Sequence, residues 1–135
     1  MFHKITDLEG ISANHARTLE KAEITTTEHL LTKAHEPKAR GRLAVQTGIG
    51  EKYLNRWVAM ADLMRVKGVS HQYGVLLMAV GVESTQKLLT MNPKELVRLM
   101  EEHKRATKLA SSAPKLADVE QWLTEVRTPG FAQGN

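Results

Sequence analysis

Apolar residues along this chain recur at spacings of three and four, the period of an amphipathic helix. Nowhere do they alternate with polar residues as in a half-buried strand, so the pattern predicts an all-α fold. Glycine and proline cut it into short helices. A first brief helix is expected from about Phe2 to Glu9, ending at Gly10. Ser12 caps a helix with Ala16, Leu19 and Ala22 on one side, and Ser70 caps another with Leu76, Leu77 and Val80. Each is followed by a break, Glu23-Ile24 or Gly81-Val82, and a new start. Thr25 and Glu28 stand at capping-box spacing there, and Glu83 and Gln86 echo them.

Pro37 suits the first turn of the next helix, which stops at Thr47-Gly48-Ile49-Gly50. From Glu51 to Val66, the residues Leu54, Trp57, Val58, Met60, Ala61, Leu63 and Met64 leave a narrow polar stripe. That stripe holds Lys52, Asn55, Arg56, Ala59, Asp62 and Arg65. A helix apolar on most of its circumference is covered from more than one side. It is therefore expected to be the central spine. Asn92-Pro93-Lys94-Glu95 opens a helix that reaches a charged end near Lys108. Ser111-Ser112-Ala113-Pro114 reads as a linker, 115–127 as a closing helix, and 128–135 as a flexible tail. Met60, Met64, Met78, Met91 and Met100 fall at helical spacing and read as core filler.

The chain also repeats itself. Residues 10–31 align without a gap on 68–89, with 6 identities in 22 positions and two Ile/Val exchanges. The shared positions are the turn glycine, the capping serine and core leucines, which specify a backbone. The expected organisation is one helical domain over 1–127. It contains repeats of about 5–46 and 63–110, joined by the central helix 51–66 and closed by 115–127.

Nineteen Lys and Arg against fifteen Asp and Glu give a net charge of +4, a lean toward anionic partners. Without cysteine, neither a disulfide framework nor a thiolate metal site can form. No apolar run approaches the ~20 residues of a membrane span, and the start lacks the long apolar segment of a secretory signal. A soluble, cytoplasmic protein is expected. Aromatic content of 4% argues against a platform of stacked rings for single strands.

The turns are the candidate chemistry. A helix-hairpin-helix joins two helices through Gly-hydrophobic-Gly, where glycine permits positive φ and close approach. The amides opening the next helix, at the positive end of its dipole, can then face a phosphate. Gly48-Ile49-Gly50 fits fully, while Gly10-Ile11-Ser12 and Gly68-Val69-Ser70 carry serine in place of the second glycine. Lys52, Arg65, Lys67 and His71 would add positive charge, whereas Glu9 and Glu51 would oppose it. The competing reading is that these glycines only let the chain turn. Lys33, Lys38, Arg40 and Arg42 form the densest basic cluster, and Lys104, Arg105 and Lys108 suit a helix C-terminus. Six scattered histidines show no metal-ligand spacing, and no nucleophile elbow, Walker loop or dinucleotide fingerprint occurs. No catalytic residue, metal site, cofactor or small-molecule substrate is expected.

Leu8-Glu9-Gly10-Ile11, Thr47-Gly48-Ile49, the stretch from Trp57 to Val69, and Leu116-Ala117-Asp118-Val119-Glu120-Gln121-Trp122 resemble the bacterial domain of unknown function 4332 (DUF4332) family. The resemblance spans residue 5 to about 127 and implies a tandem helix-hairpin-helix fold with no assigned activity. Members commonly carry Gly-Ile-Gly or Gly-Val-Gly at both repeat turns, from which Ser12 and Ser70 depart. The leading expectation is a non-enzymatic binding module touching DNA or RNA backbone without sequence preference. The alternative is a protein-interaction scaffold whose hairpins are purely structural.

Overall fold

The computed structural model describes residues 3–8, 10–107 and 113–131. Over these residues the chain is all-α. After a 3-10 helix at Ile5–Asp7 come α1 (Ala13–Lys21), α2 (Thr27–Ala34), α3 (Pro37–Thr47), α4 (Glu51–Leu63), α5 (His71–Ala79), α6 (Thr85–Leu89), α7 (Pro93–Thr107) and α8 (Leu116–Arg127). Extended pairing among the described residues is limited to a Lys4–Thr26 bridge. None of their helices is long and apolar enough to cross a membrane.

The chain divides into two compact units, Met1–Arg65 and Val66–Asn135. The expected spine is the fourth helix of the first unit. There α4 packs on α2 and α3; in the second unit α8 packs on α6 and α7. Each unit has its own buried tryptophan, Trp57 on α4 and Trp122 on α8, both 1% exposed. The apolar circumference of α4 is real, since Leu54, Trp57, Val58, Met60, Ala61 and Leu63 are all buried. Asp62, assigned to the polar stripe, is buried as well. Its carboxylate accepts from the Arg65 guanidinium at 3.0 Å, which offsets the desolvation of its charge.

Positions 58 residues apart share local conformation. Gly10 and Gly68 both have positive φ, 87° and 92°. Ser12 and Ser70 both sit in extended conformation with the hydroxyl accepting from the third helical amide, that of His15 at 3.1 Å and of Tyr73 at 3.2 Å. Leu19 and Leu77, Ile24 and Val82, and Leu30 and Leu88 are fully buried pairs. Glu23 and Gly81, after α1 and α5, both have positive φ, 65° and 91°. The fourth helices correspond too: Gly50 and Lys115 precede them, and Leu54, Trp57 and Val58 are buried as are Val119, Trp122 and Leu123.

Several boundaries differ from expectation. The helix-capping residues before α2 and α6 are Thr26 and Ser84, one position after Thr25 and Glu83 respectively. Each has extended backbone and a hydroxyl that reaches an amide, of His29 or Lys87, three residues on. Thr25 instead meets the His29 ring, its amide donating to Nδ1. The first helix shrinks to a 3-10 turn because its flanks pair elsewhere. The Ile5 amide bonds Thr25 O and the Thr27 amide bonds His3 O. The expected loose tail is ordered as far as Phe131, which is buried behind the positive-φ Gly130. Met60, Met64 and Met100 are core residues, while Met78 and Met91 are half-buried. Phe2, Glu9, Lys108, Ser111-Ser112 and 132–135 lie outside the described residues.

Candidate nucleic-acid interface

Three residues, Gly48-Ile49-Gly50, join the packed helices α3 and α4. Gly48 ends α3 in the left-handed region at φ 73°, its amide bonded to Ala44 O at 2.9 Å. Ile49 is buried and anchors the turn, while its amide donates to Thr47 Oγ1 at 3.2 Å. Gly50 precedes α4 and, having no side chain, leaves the opening amides of that helix without a side-chain cap. A Cβ at Gly50 would stand 3.2 Å from Tyr53 Cδ2, so the tyrosine ring lies directly against this backbone. Glu51, the first residue of α4, places Oε1 3.0 Å from where a Cβ on Gly41 of α3 would sit.

The other two turns are built differently. At each, the serine hydroxyl takes the third amide of α1 or α5, the position that in α4 donates from Tyr53 to Gly50 O at 3.0 Å. Gly10 and Gly68 need their positive φ, and both back onto tryptophan. A Cβ on Gly10 would lie 3.8 Å from Trp57 Nε1, and one on Gly68 3.2 Å from Trp122 Nε1. Positive φ therefore accounts for both glycines, and at Gly68 the close indole adds to it. Glu125 Oε2 also accepts from the Lys67 amide at 2.7 Å, so the Gly68 turn already carries a carboxylate.

The expected site residues consequently fall into two groups. Gly10, Ile11, Ser12, Gly48, Ile49, Gly50 and Lys52 belong to the first unit. There, His15 of α1 and Tyr53 of α4 lie 5.9 Å apart between ring centroids, which brings the starts of those two helices together. Lys67, Gly68, Val69, Ser70 and His71 belong to the second unit. Arg65 stands fifteen residues beyond Gly50, about 20 Å along a helix by its rise per residue. It is committed to Asp62 and does not join Lys52.

Half of the dense basic cluster also has structural duties. Lys33 Nζ donates to Ala22 O at 2.8 Å, behind α1, and lies 3.6 Å from Glu23. Arg40 donates through Nε to Ala34 O at 2.9 Å, through Nη2 to His35 O at 2.7 Å, and through Nη1 to Asn55 Oδ1 at 2.8 Å. Each cation thus satisfies carbonyls at a helix end, where the dipole favours positive charge. Lys38 and Arg42 remain exposed on α3, and Lys52 is exposed on the first turn of α4. On α7, Arg98 bonds both Glu95 and Glu102, and its hydrogen bond holds the Glu95 carboxyl below its ordinary value of 4.5.

Sequence reasoning missed Tyr53. The residue is 44% exposed, and its ring lies 6.2 Å from Trp57 and 5.9 Å from His15, with Lys52 Nζ 5.3 Å from its centroid. A lone tyrosine beside a Gly-Ile-Gly turn was the available signal. Among curated proteins and solved structures, no significant match to this chain is found. The family described as domain of unknown function (DUF4332) matches residues 9–128, nearly the full length, and the chain belongs to that family.

Proposed function

We propose that this protein is a non-enzymatic, cytoplasmic binding module that contacts nucleic-acid backbone without reading sequence. The α3–α4 pair acts as a helix-hairpin-helix in this reading, with Gly48, Ile49, Gly50 and Lys52 at its centre. The observation that carries it is the α4 start: a Gly-hydrophobic-Gly turn followed by thirteen helical residues whose first amides have no side-chain cap. The helix dipole and the amides of Glu51 and Lys52 favour a phosphate oxygen at such a place, while the Tyr53 amide bonds Gly50 O at 3.0 Å. Exposed Lys52 and Arg42, on the two helices that meet there, supply charge of the right sign. The Gly10 turn is a weaker contributor, since serine stands there in place of the second glycine.

The test is fluorescence anisotropy of labelled oligonucleotides, single-stranded and duplex, across a salt series. Binding should be indifferent to sequence and weaken steeply with salt, as counterions are released. Replacing Lys52 and Arg42 together by Gln should flatten the slope of log affinity against log salt by about two. No binding at micromolar protein would remove this function.

A second reading, a protein-interaction scaffold, is favoured by the way positive φ and serine caps account for the Gly10 and Gly68 turns. α8 buries Val119, Trp122 and Leu123, so deleting it would remove core of the second unit. The scaffold reading is better tested by substitutions at exposed Val45, which is 87% accessible on α3.

A further inference from the structure

The same positions that make the two units alike also isolate what the first unit adds. In both, the third residue of the opening helix carries a ring packed on the tryptophan of the fourth. His15 lies 5.1 Å from Trp57, and Tyr73 lies 5.4 Å from Trp122. In both, that tryptophan backs onto the turn glycine. Tyr53 has no counterpart in this scheme. The third residue of α8, its equivalent, is Asp118, whose carboxylate accepts from the Lys115 amide at 2.9 Å. The tryptophan-centred packing therefore does not require an aromatic ring at this position. The additional ring occurs in the unit that holds the Gly-Ile-Gly turn, where α3 and α4 are joined by 48–50 alone; α7 and α8 are separated by 108–115.

Tyr53 is also packed on its neighbours. Its ring lies against Gly50, 6.2 Å from Trp57 and 5.9 Å from His15, yet 44% of the residue remains accessible. A packed, half-exposed ring loses little conformational freedom when something stacks on it. Within reach are a cation, Lys52, and the opening of the same helical turn, where Gly50 supplies no side-chain cap. A phosphate and an unstacked base are the two halves of a single-stranded nucleotide, and every base has a π-face regardless of its sequence.

We propose that Tyr53 stacks on an unpaired base whose adjacent phosphate meets the start of α4, so that the ligand is single-stranded nucleic acid rather than a continuous duplex. This rests on the backbone-contact function proposed above. It requires Lys52 to turn from the Tyr53 ring to the phosphate, a movement open to a flexible, exposed side chain. One ring differs from a platform of several: it provides preference for single strands over phosphate alone, without sequence specificity.

The experiment compares three labelled ligands on the full chain: an oligothymidine, an abasic strand of equal length that keeps the phosphates, and a duplex. Stacking predicts that oligothymidine binds about five- to tenfold tighter than the abasic strand, the lower end of base–aromatic stacking. Tyr53→Ala should bring oligothymidine down to the abasic level while leaving abasic binding unchanged, and Tyr53→Phe should retain the preference. Circular dichroism checks that each variant is folded. Equal binding of oligothymidine and the abasic strand, unaffected by Tyr53→Ala, would overturn the stacking while leaving phosphate contact intact. No binding of any ligand would overturn both.

Discussion

Replacing Gly68 by alanine tests whether the turn glycines serve the tryptophans. At φ 92° an alanine sits in the left-handed region, which costs about 1–2 kcal/mol. Its Cβ would also stand 3.2 Å from Trp122 Nε1 and 3.7 Å from Cδ1. That indole is 1% exposed and packed against Tyr73, so it cannot swing aside as a surface side chain would. Overpacking of this kind adds about 1–3 kcal/mol. The lower entropy of an unfolded alanine chain returns about 0.4–1 kcal/mol. The net destabilisation is therefore expected at about 1–4.5 kcal/mol. Gly81→Ala is the matched control: its φ is 91°, but nothing lies within 4 Å of the added carbon. Gly10→Ala should resemble that control, because a Cβ there meets Trp57 Nε1 at an ordinary 3.8 Å. Urea unfolding followed by circular dichroism and tryptophan fluorescence gives all three values. Equal losses for Gly68→Ala and Gly81→Ala would refute the indole contact and leave only the backbone term.

Other predictions follow from single contacts. Trp57→Ala should cost about 3–5 kcal/mol, the range for deleting a large aromatic from a core, since the ring is 1% exposed; a loss under about 1 kcal/mol in urea unfolding would contradict its burial. The Glu95 carboxyl should titrate below its ordinary 4.5, held there first by the hydrogen bond from Arg98. Because the folded value is depressed, the stabilisation is present above the unfolded value and is lost as pH falls through the folded one. Carbon-detected NMR titration should show that depression, and Arg98→Gln should abolish it.

What was legible in the sequence was what glycine, serine and proline encode locally. Gly10 and Gly68 signalled positive φ, Ser12 and Ser70 their caps, and Pro37 and Pro93 helix starts, because each acts within a few residues of itself. The kinship of α4 with α8 was hidden. α7 has 15 residues against 11 in α3, and the connection that follows is longer, so Trp57 and Trp122 do not fall at the spacing that relates Gly10 to Gly68. An ungapped match sees only the first two helices of each unit. The apolar circumference of α4 then suggested a shared spine instead of a fourth helix. At the site, composition made Lys33 and Arg40 look available, yet the carbonyls they satisfy are contributed by helix ends 5 to 11 residues away in sequence. Tyr53 was missed because its importance lies in being held by Gly50, Trp57 and His15, and the His15 partner comes from another helix.

The central claim is that nucleic acid meets the start of α4. Amide chemical shifts of the 15N-labelled full chain, followed while oligothymidine is added at low salt, address it residue by residue. The account predicts that the largest perturbations fall on the amides of 48–53, with smaller ones at 10–15 and little change on α7 and α8. An unperturbed 48–53 segment, whether because nothing binds or because the shifts gather on another surface, would contradict it.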